Sequence, residues 1–364
     1  MPSSRALVLE GPRTLVGREL PIPAPTDDDG LLRVEACGLC GTDHEQYTGE
    51  LFGGFAFVPG HEIIGRIEAV GDAAARRWNV KPGDRVAVEV FQSCRECAPC
   101  RAGESRRCER HGLRDMYGFV PVDRAPGLWG GYAEHVYLAP DAQLIPVPDG
   151  LDPATATLFN PLGAGIRWAV TLPDTQPGAT VAVLGPGIRG LSAVVALRAH
   201  GAGTILVTGA GERDRDRLEL ARELGADLTV DVQQHDPVAA LRDATGGRLA
   251  DVVVDVTAKA PAVLGQAVAL ARPGGTVVLA GTRGSDAVPG FHPDHVVFKE
   301  LRMLGALGVD LAAYRAAFDL LADPGFALRA IDHAVASLDG GDALIRAMVG
   351  DTDAARPIHG VIAP

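Results

Sequence analysis

The chain has 364 residues, 47% hydrophobic and 22% charged, which is enough apolar material for two globular domains rather than one. Its formal net charge is −12, with no basic cluster, so nucleic acid and anionic membrane surfaces are excluded as expected partners. No stretch approaches the roughly 18 uninterrupted apolar residues of a membrane helix, and the opening MPSSRALVLEGP carries no signal core, so a cytoplasmic protein is expected.

In chain order, residues 6 to 158 read as short strands and turns. RALVLE, LLRVEACG, EIIGRIEAVG and DRVAVEV are apolar runs bounded by Gly, Pro and Asp. Closely spaced strands of this kind predict an all-β, barrel-like domain over 1–158. Within it, the stretch from Val34 to Gly65 gathers Cys40, Thr42, Asp43, His61 and Glu62. A thiolate and an imidazole suit Zn²⁺. Glu62 is expected as a third ligand or as a carboxylate that orients the other two. Thr42, two residues after the thiolate, places a hydroxyl where it can relay a proton from an O–H whose pKa zinc lowers to about 7. Taken singly, Cys40 is as well explained by a buried thiol and His61 by a turn residue after Pro59-Gly60. Phe52, Phe55, Phe57 and Trp129 are candidates to line a substrate cleft, although aromatic residues are more often core.

Cys94-x₂-Cys97-x₂-Cys100-x₇-Cys108 follows, inside a lobe spanning 89–112. Two-residue spacers let a turn point successive sulfurs at one centre, and four thiolates close a tetrahedral zinc shell. A closed shell has no open position, so this zinc is structural. An iron–sulfur cluster is the rival for such spacing. The lobe has few apolar residues, so metal is expected to supply its folding energy.

From Pro177 onward VAVLG, TILVTG, DLTVDV, DVVVDVTA and GTVVLAG are continuous apolar runs separated by helical patterns. This alternation predicts a doubly wound parallel sheet with both faces covered, the Rossmann arrangement, over 159–299. Gly185-Pro186-Gly187-Ile188-Arg189-Gly190 follows the first of these strands and opens a helix, the context a dinucleotide loop requires. Gly185 is expected to turn the chain, Gly187 to admit a pyrophosphate, and Gly190 to allow close packing, with Ile188 at the helix N-terminus. At the end of the second strand, where an acidic residue would bind the adenosine ribose, the chain has Gly209. With Arg213, Arg215 and Arg217 nearby, this leans toward NADP. Glu212 keeps NAD open, and the arginines are equally explained by pairing with Asp214 and Asp216. The tail, 300–364, reads as two helices and a final strand, HGVIA, expected to return to the first domain.

CGLCGTD (37–43), GHEIIGRIEAVG (60–71), KPGDRV (81–86), the four-cysteine lobe, GGYAEHVYLAP (130–140) and the glycine loop occur in order along essentially the whole chain. Together they resemble the zinc-dependent medium-chain dehydrogenase/reductase family of alcohol, sorbitol, threonine and glucose dehydrogenases. The resemblance implies a GroES-like catalytic domain beside the Rossmann domain, Cys40 and His61 as catalytic zinc ligands, Glu62 as an exchangeable carboxylate, Thr42 as the relay hydroxyl and Asp43 behind the ligands. It also implies NAD(P)-linked, reversible oxidation of a primary or secondary alcohol, and a homodimer or homotetramer joined at the strand near Leu301–Leu307. Two departures matter. Asn160 replaces the further Glu or Cys ligand, so it is expected to touch the metal weakly or to hydrogen-bond a water or substrate hydroxyl. Glu45 replaces the relay histidine, so the proton path is expected through Glu45 or through His44. Both features tilt the substrate to a polyhydroxylated or cyclic alcohol. Cys37 has no place in this scheme except core packing. The competing expectations are a zinc-free reductase of the same fold, which would lack both Cys40 and His61, and a non-catalytic dinucleotide sensor.

Overall fold

The computed structural model of the chain describes residues 2–51, 53–284, 288, 291–352 and 356–364. They form two compact units, one of Met1–Asn160 with Asp310–Pro364 and one of Pro161–Val309.

In the first unit, β1 (Ser3–Gly11) and β2 (Thr14–Pro21) make an antiparallel hairpin. The central strands are β3 (Gly30–Leu39), β4 (Glu62–Val70), β5 (Arg85–Val88), β6 (His135–Leu138) and β7 (Leu144–Pro146). β3 pairs with β4 and β6, β4 with β5, and β5 with β7, all antiparallel. Alternating apolar side chains from these strands, among them Leu32, Val34, Ile63, Ile67, Val86 and Val88, bury one face against the hairpin and against Tyr117, Leu128 and Tyr132. Four runs named from the sequence became β1, β3, β4 and β5; β2, β6 and β7 were not read.

The second unit is a six-stranded sheet of β8 (Thr180–Leu184), β9 (Thr204–Gly209), β10 (Leu228–Asp231), β11 (Ala250–Asp255), β12 (Ala271–Leu279) and β13 (Arg302–Gly305), in the order β10-β9-β8-β11-β12-β13. Every pairing is parallel. Its central strands β8 and β11 are buried on both faces, as continuous apolar runs demand, so the expected doubly wound sheet is present. The expected boundary at 299/300 differs from the structure. β13 pairs in register with β12, so the sheet holds the chain ten residues longer, through Val309.

The tail then gives helix Leu311–Ala322, β14 (His333–Ala336), helix Gly341–Val349 and β15 (His359–Ile362). β15 inserts between β14, in parallel, and β3, antiparallel, extending the sheet of the first unit. Among the described residues no helix is long and apolar enough to cross a membrane.

Candidate metal centre

β3 ends at Leu39, and Cys40 caps the helix Gly41–Thr48. The Thr42 N–H donates to Cys40 Sγ at 3.3 Å, and the Cys40 N–H donates to Asp43 Oδ2 at 2.9 Å. The sulfur therefore sits at the positive end of a helix, a setting that suits a thiolate. Twenty-one residues on, His61 precedes β4, whose first residue is Glu62. His61 Nε2 lies 3.2 Å from Cys40 Sγ, and His61 Nδ1 lies 3.8 Å from Asp43 Oδ1. Single ligand atoms of Cys40, His61 and Glu62 all fall within 4.8 Å of one another, and all three residues are buried.

The electrostatics of this cluster call for a cation. Burial pushes the His61 imidazolium down, but Cys40, Asp43 and Glu62 outweigh it and raise its pKa to about 10. A buried group of sulfur and carboxylates that recruits a proton onto histidine would bind a divalent ion in its place, with His61 neutral. His61 Nδ1 and Asp43 Oδ1 have no hydrogen-bond partner among the described residues. The donor set, one sulfur, one imidazole and one carboxylate, fits zinc.

Thr42 and His44 are half-buried on this helix and Glu45 is buried. Asn160 is buried, and its Nδ2 donates to Tyr314 Oη at 2.9 Å. Cys37 is fully buried in the core of the first unit. Phe57 and Trp129 belong to that core too, and Phe55 packs edge-on against Phe57; Phe52 lies outside the described residues. Glu89, also fully buried, is pushed up to about 8, first by burial and then by Asp310 among the raising causes.

In the lobe, the sulfurs of Cys94, Cys97, Cys100 and Cys108 lie within 4.8 Å of one another, and no cysteine is in a disulfide. The Cys97 N–H lowers Cys94 to about 6, whereas burial and the Cys97 and Cys108 sulfurs raise Cys100 to about 12. Four sulfurs this close ionise together only around a cation, which fits a tetrahedral metal.

In the second unit, Gly185 follows β8 with φ +106°, and Gly187 caps the helix Ile188–His200. A Cβ on Gly190 would overlap Gly185 O, whereas one on Gly187 would meet nothing within 4 Å. The loop is thus tight where helix and strand pack and open where a phosphate would approach. Gly209 closes β9, and a Cβ there would lie 2.9 Å from Asp214 Cβ. Asp214 and Asp231 accept from the Ala210 and Gly211 N–H groups, each at 2.9 Å. Arg213 is mostly exposed, 3.6 Å from Asp214, and Arg215 pairs with Glu212 and Asp216. The ion pairs weighed as the plainer explanation of these arginines are therefore present. Not foreseen from the sequence is Arg189, whose guanidinium lies 5.1 Å from the Trp168 ring centre. Nor were His333 and His359, which pair across β14 and β15, His359 lying 3.9 Å from Glu62 Oε2.

Residues 26–149 match the family described as alcohol dehydrogenase GroES-like domain, and residues 190–323 match zinc-binding dehydrogenase. A probable alcohol dehydrogenase of Mycobacterium tuberculosis is 65% identical over 99% of this chain and 98% of its own length. Sorbitol dehydrogenase of Bacillus subtilis is 33% identical over 78% of this chain and 77% of its own. Among solved structures, a zinc-binding dehydrogenase from Sinorhizobium meliloti bound to NADP superposes with a TM-score of 0.84 at 31% identity, covering all of both chains.

Proposed function

The chain belongs to the zinc-type medium-chain alcohol dehydrogenase family, and from that premise we propose what its own residues do in interconverting an alcohol and a carbonyl compound with NAD(P). When bound, zinc polarises the reacting oxygen and the nicotinamide takes up or returns the hydride. Cys40, His61 and Glu62 hold the catalytic zinc. The observation that carries this assignment is their buried convergence within 4.8 Å. One thiolate and one carboxylate balance the ion's two charges, leaving His61 neutral, and Asp43 orients the imidazole from its Nδ1 side.

Thr42 accepts the proton of the substrate hydroxyl and passes it on. Thr42 and Glu45 are three residues apart on one helix and so share a face, whereas His44 does not; this supports Glu45 as the next group. Asn160, held by Tyr314, hydrogen-bonds the substrate hydroxyl. Cys94, Cys97, Cys100 and Cys108 hold a structural zinc.

Gly185, Gly187, Ile188 and Gly190 cradle the pyrophosphate of the cofactor. NADP is the better match. Gly209 leaves no room for a ribose-binding carboxylate, Asp214 and Asp231 accept from the Ala210 and Gly211 N–H groups, Glu212 is paired with Arg215, and the Arg213 side chain is mostly exposed. The substrate is polyhydroxylated or cyclic, a reading the similarity to sorbitol dehydrogenase supports. A second copy pairs along β13, the sheet edge, near exposed Leu307 and Phe298.

Metal analysis combined with a panel of alcohols and both nicotinamides tests the proposal. Two zinc ions per chain and alcohol-dependent reduction of NADP⁺ are expected. A fully metallated chain that reduces neither nicotinamide with any alcohol, or a native chain with one zinc, would refute it.

A further inference from the structure

Sheet pairing lines up a row of side chains behind Glu62. His333 opens β14 and is the register partner of His359, which opens β15. On the other side, Gly38 of β3 is the register partner of Glu62 on β4. His359 is completely buried, and its Nδ1 lies 2.8 Å from His333 Nδ1. Its other nitrogen, Nε2, lies 3.9 Å from Glu62 Oε2 and has no hydrogen-bond partner among the described residues. Gly38 is what lets the two face each other. A Cβ at that position would overlap Glu62 Oε2 and sit 3.2 Å from His359 Nε2.

Two imidazole nitrogens at hydrogen-bond distance cannot both donate or both accept. A lone pair on His359 Nε2 would face the Glu62 carboxylate, which repels it. When His333 Nδ1 donates to His359 Nδ1, His359 carries its proton on Nε2 and aims an N–H at Glu62, and this is the arrangement in which both contacts are satisfied. A shift of about 1 Å by the carboxylate closes the contact to hydrogen-bond length.

We propose that His359 is a positioning residue for Glu62: its Nε2–H holds one carboxylate oxygen so that the other is turned to the metal, and His333 fixes the tautomer that makes this possible. The proposal rests on the assignment of Glu62 as a zinc ligand. Such partners behind a ligand change metal affinity by about 10- to 100-fold when removed.

Chelator competition on the purified, zinc-loaded chain tests it, counting zinc at the three-ligand and four-cysteine sites separately. The native chain is expected to hold two zinc ions. His359→Leu should release the three-ligand zinc about 10-fold or more readily, with the four-cysteine zinc and the thermal melt retained. His359→Gln, whose amide N–H can reach Glu62, should stay near the native affinity. His333→Phe should weaken zinc in the same direction as His359→Leu, and it remains readable if that variant fails to fold. Cobalt substitution gives a second readout, a changed visible spectrum in His359→Leu and a native one in His359→Gln. Equal weakening by Leu and Gln, or no weakening by His333→Phe, would overturn the proposal. A native chain with only one zinc would overturn the assignment of Glu62 as well, whereas two zinc ions and an unmoved His359→Leu would overturn this inference alone.

Discussion

Asp43 serves both ends of the three-ligand cluster. One oxygen caps the Cys40 N–H, and the other faces His61 Nδ1. That double duty was visible only in part from CGTD, because the cap is local and the imidazole arrives from another turn. Cys40 and His61 were legible as a pair since zinc chemistry restricts which residues can serve. His359 was not, because nothing in HGVIA marks one buried histidine as a neighbour of Glu62; only strand register does that. Thr42 carries the clearest prediction at this scale. Thr42→Ala should lower kcat by about 10²- to 10⁴-fold with zinc retained, and Thr42→Ser should restore most of it; a near-normal rate for Thr42→Ala would remove the relay. Glu89 predicts a pH effect. Its folded pKa of about 8 lies above the ordinary carboxyl value of 4.5, so the unfolded chain loses the proton first as pH rises. The stability it contributes is full below about 4.5 and is lost as pH climbs through about 8. Chemical denaturation of Glu89→Gln at pH 5 and pH 8 should therefore show a smaller fall than the native chain.

The elements divide into those specified by their own residues and those specified by partners. The cysteine lobe and the glycine loop were legible in the sequence, because spacing and turn chemistry act locally. The strands β2, β6, β7 and β14 were missed. β6, β7 and β14 are brief, β2 is interrupted by glycine and charged positions in TLVGRELP, and what makes all of them strands is the neighbour they pair with. β13 was assigned to the wrong side of a boundary for the same reason. In the lobe, His111 bridges Asp115 at 2.9 Å and Asp141 at 2.8 Å, so metal is not its sole anchor. Cys97→Ser should cost about one zinc per chain and lower the melting temperature, while binding of NADPH, followed by fluorescence, largely survives. Unchanged zinc content would count against a four-sulfur site. The loop after β9 makes its own prediction. Replacing Arg213 and Arg215 by Ala should cut the NADP⁺ over NAD⁺ preference in kcat/KM by about tenfold, the scale of one charge-assisted contact.

At the scale of the molecule, two units of different texture follow from two periodicities in one sequence. The continuous apolar runs of the second unit became strands covered on both faces, as in β8 and β11, and the runs of the first unit became antiparallel strands that gather their apolar side chains into one core. The parallel unit is contiguous, from Pro161 to Val309, whereas the antiparallel unit is assembled from both ends of the chain. β15 lies one strand in from the edge of its sheet, against Cys37–Leu39 at the end of β3, yet follows the entire second unit in sequence. On the ribosome, that end of β3 therefore emerges long before its neighbour is made, with its backbone groups open to wrong pairing. The contiguous unit can close while still tethered. A nascent chain stalled just short of His359 should accordingly show a protease-resistant nucleotide unit attached to a catalytic unit that is still digestible.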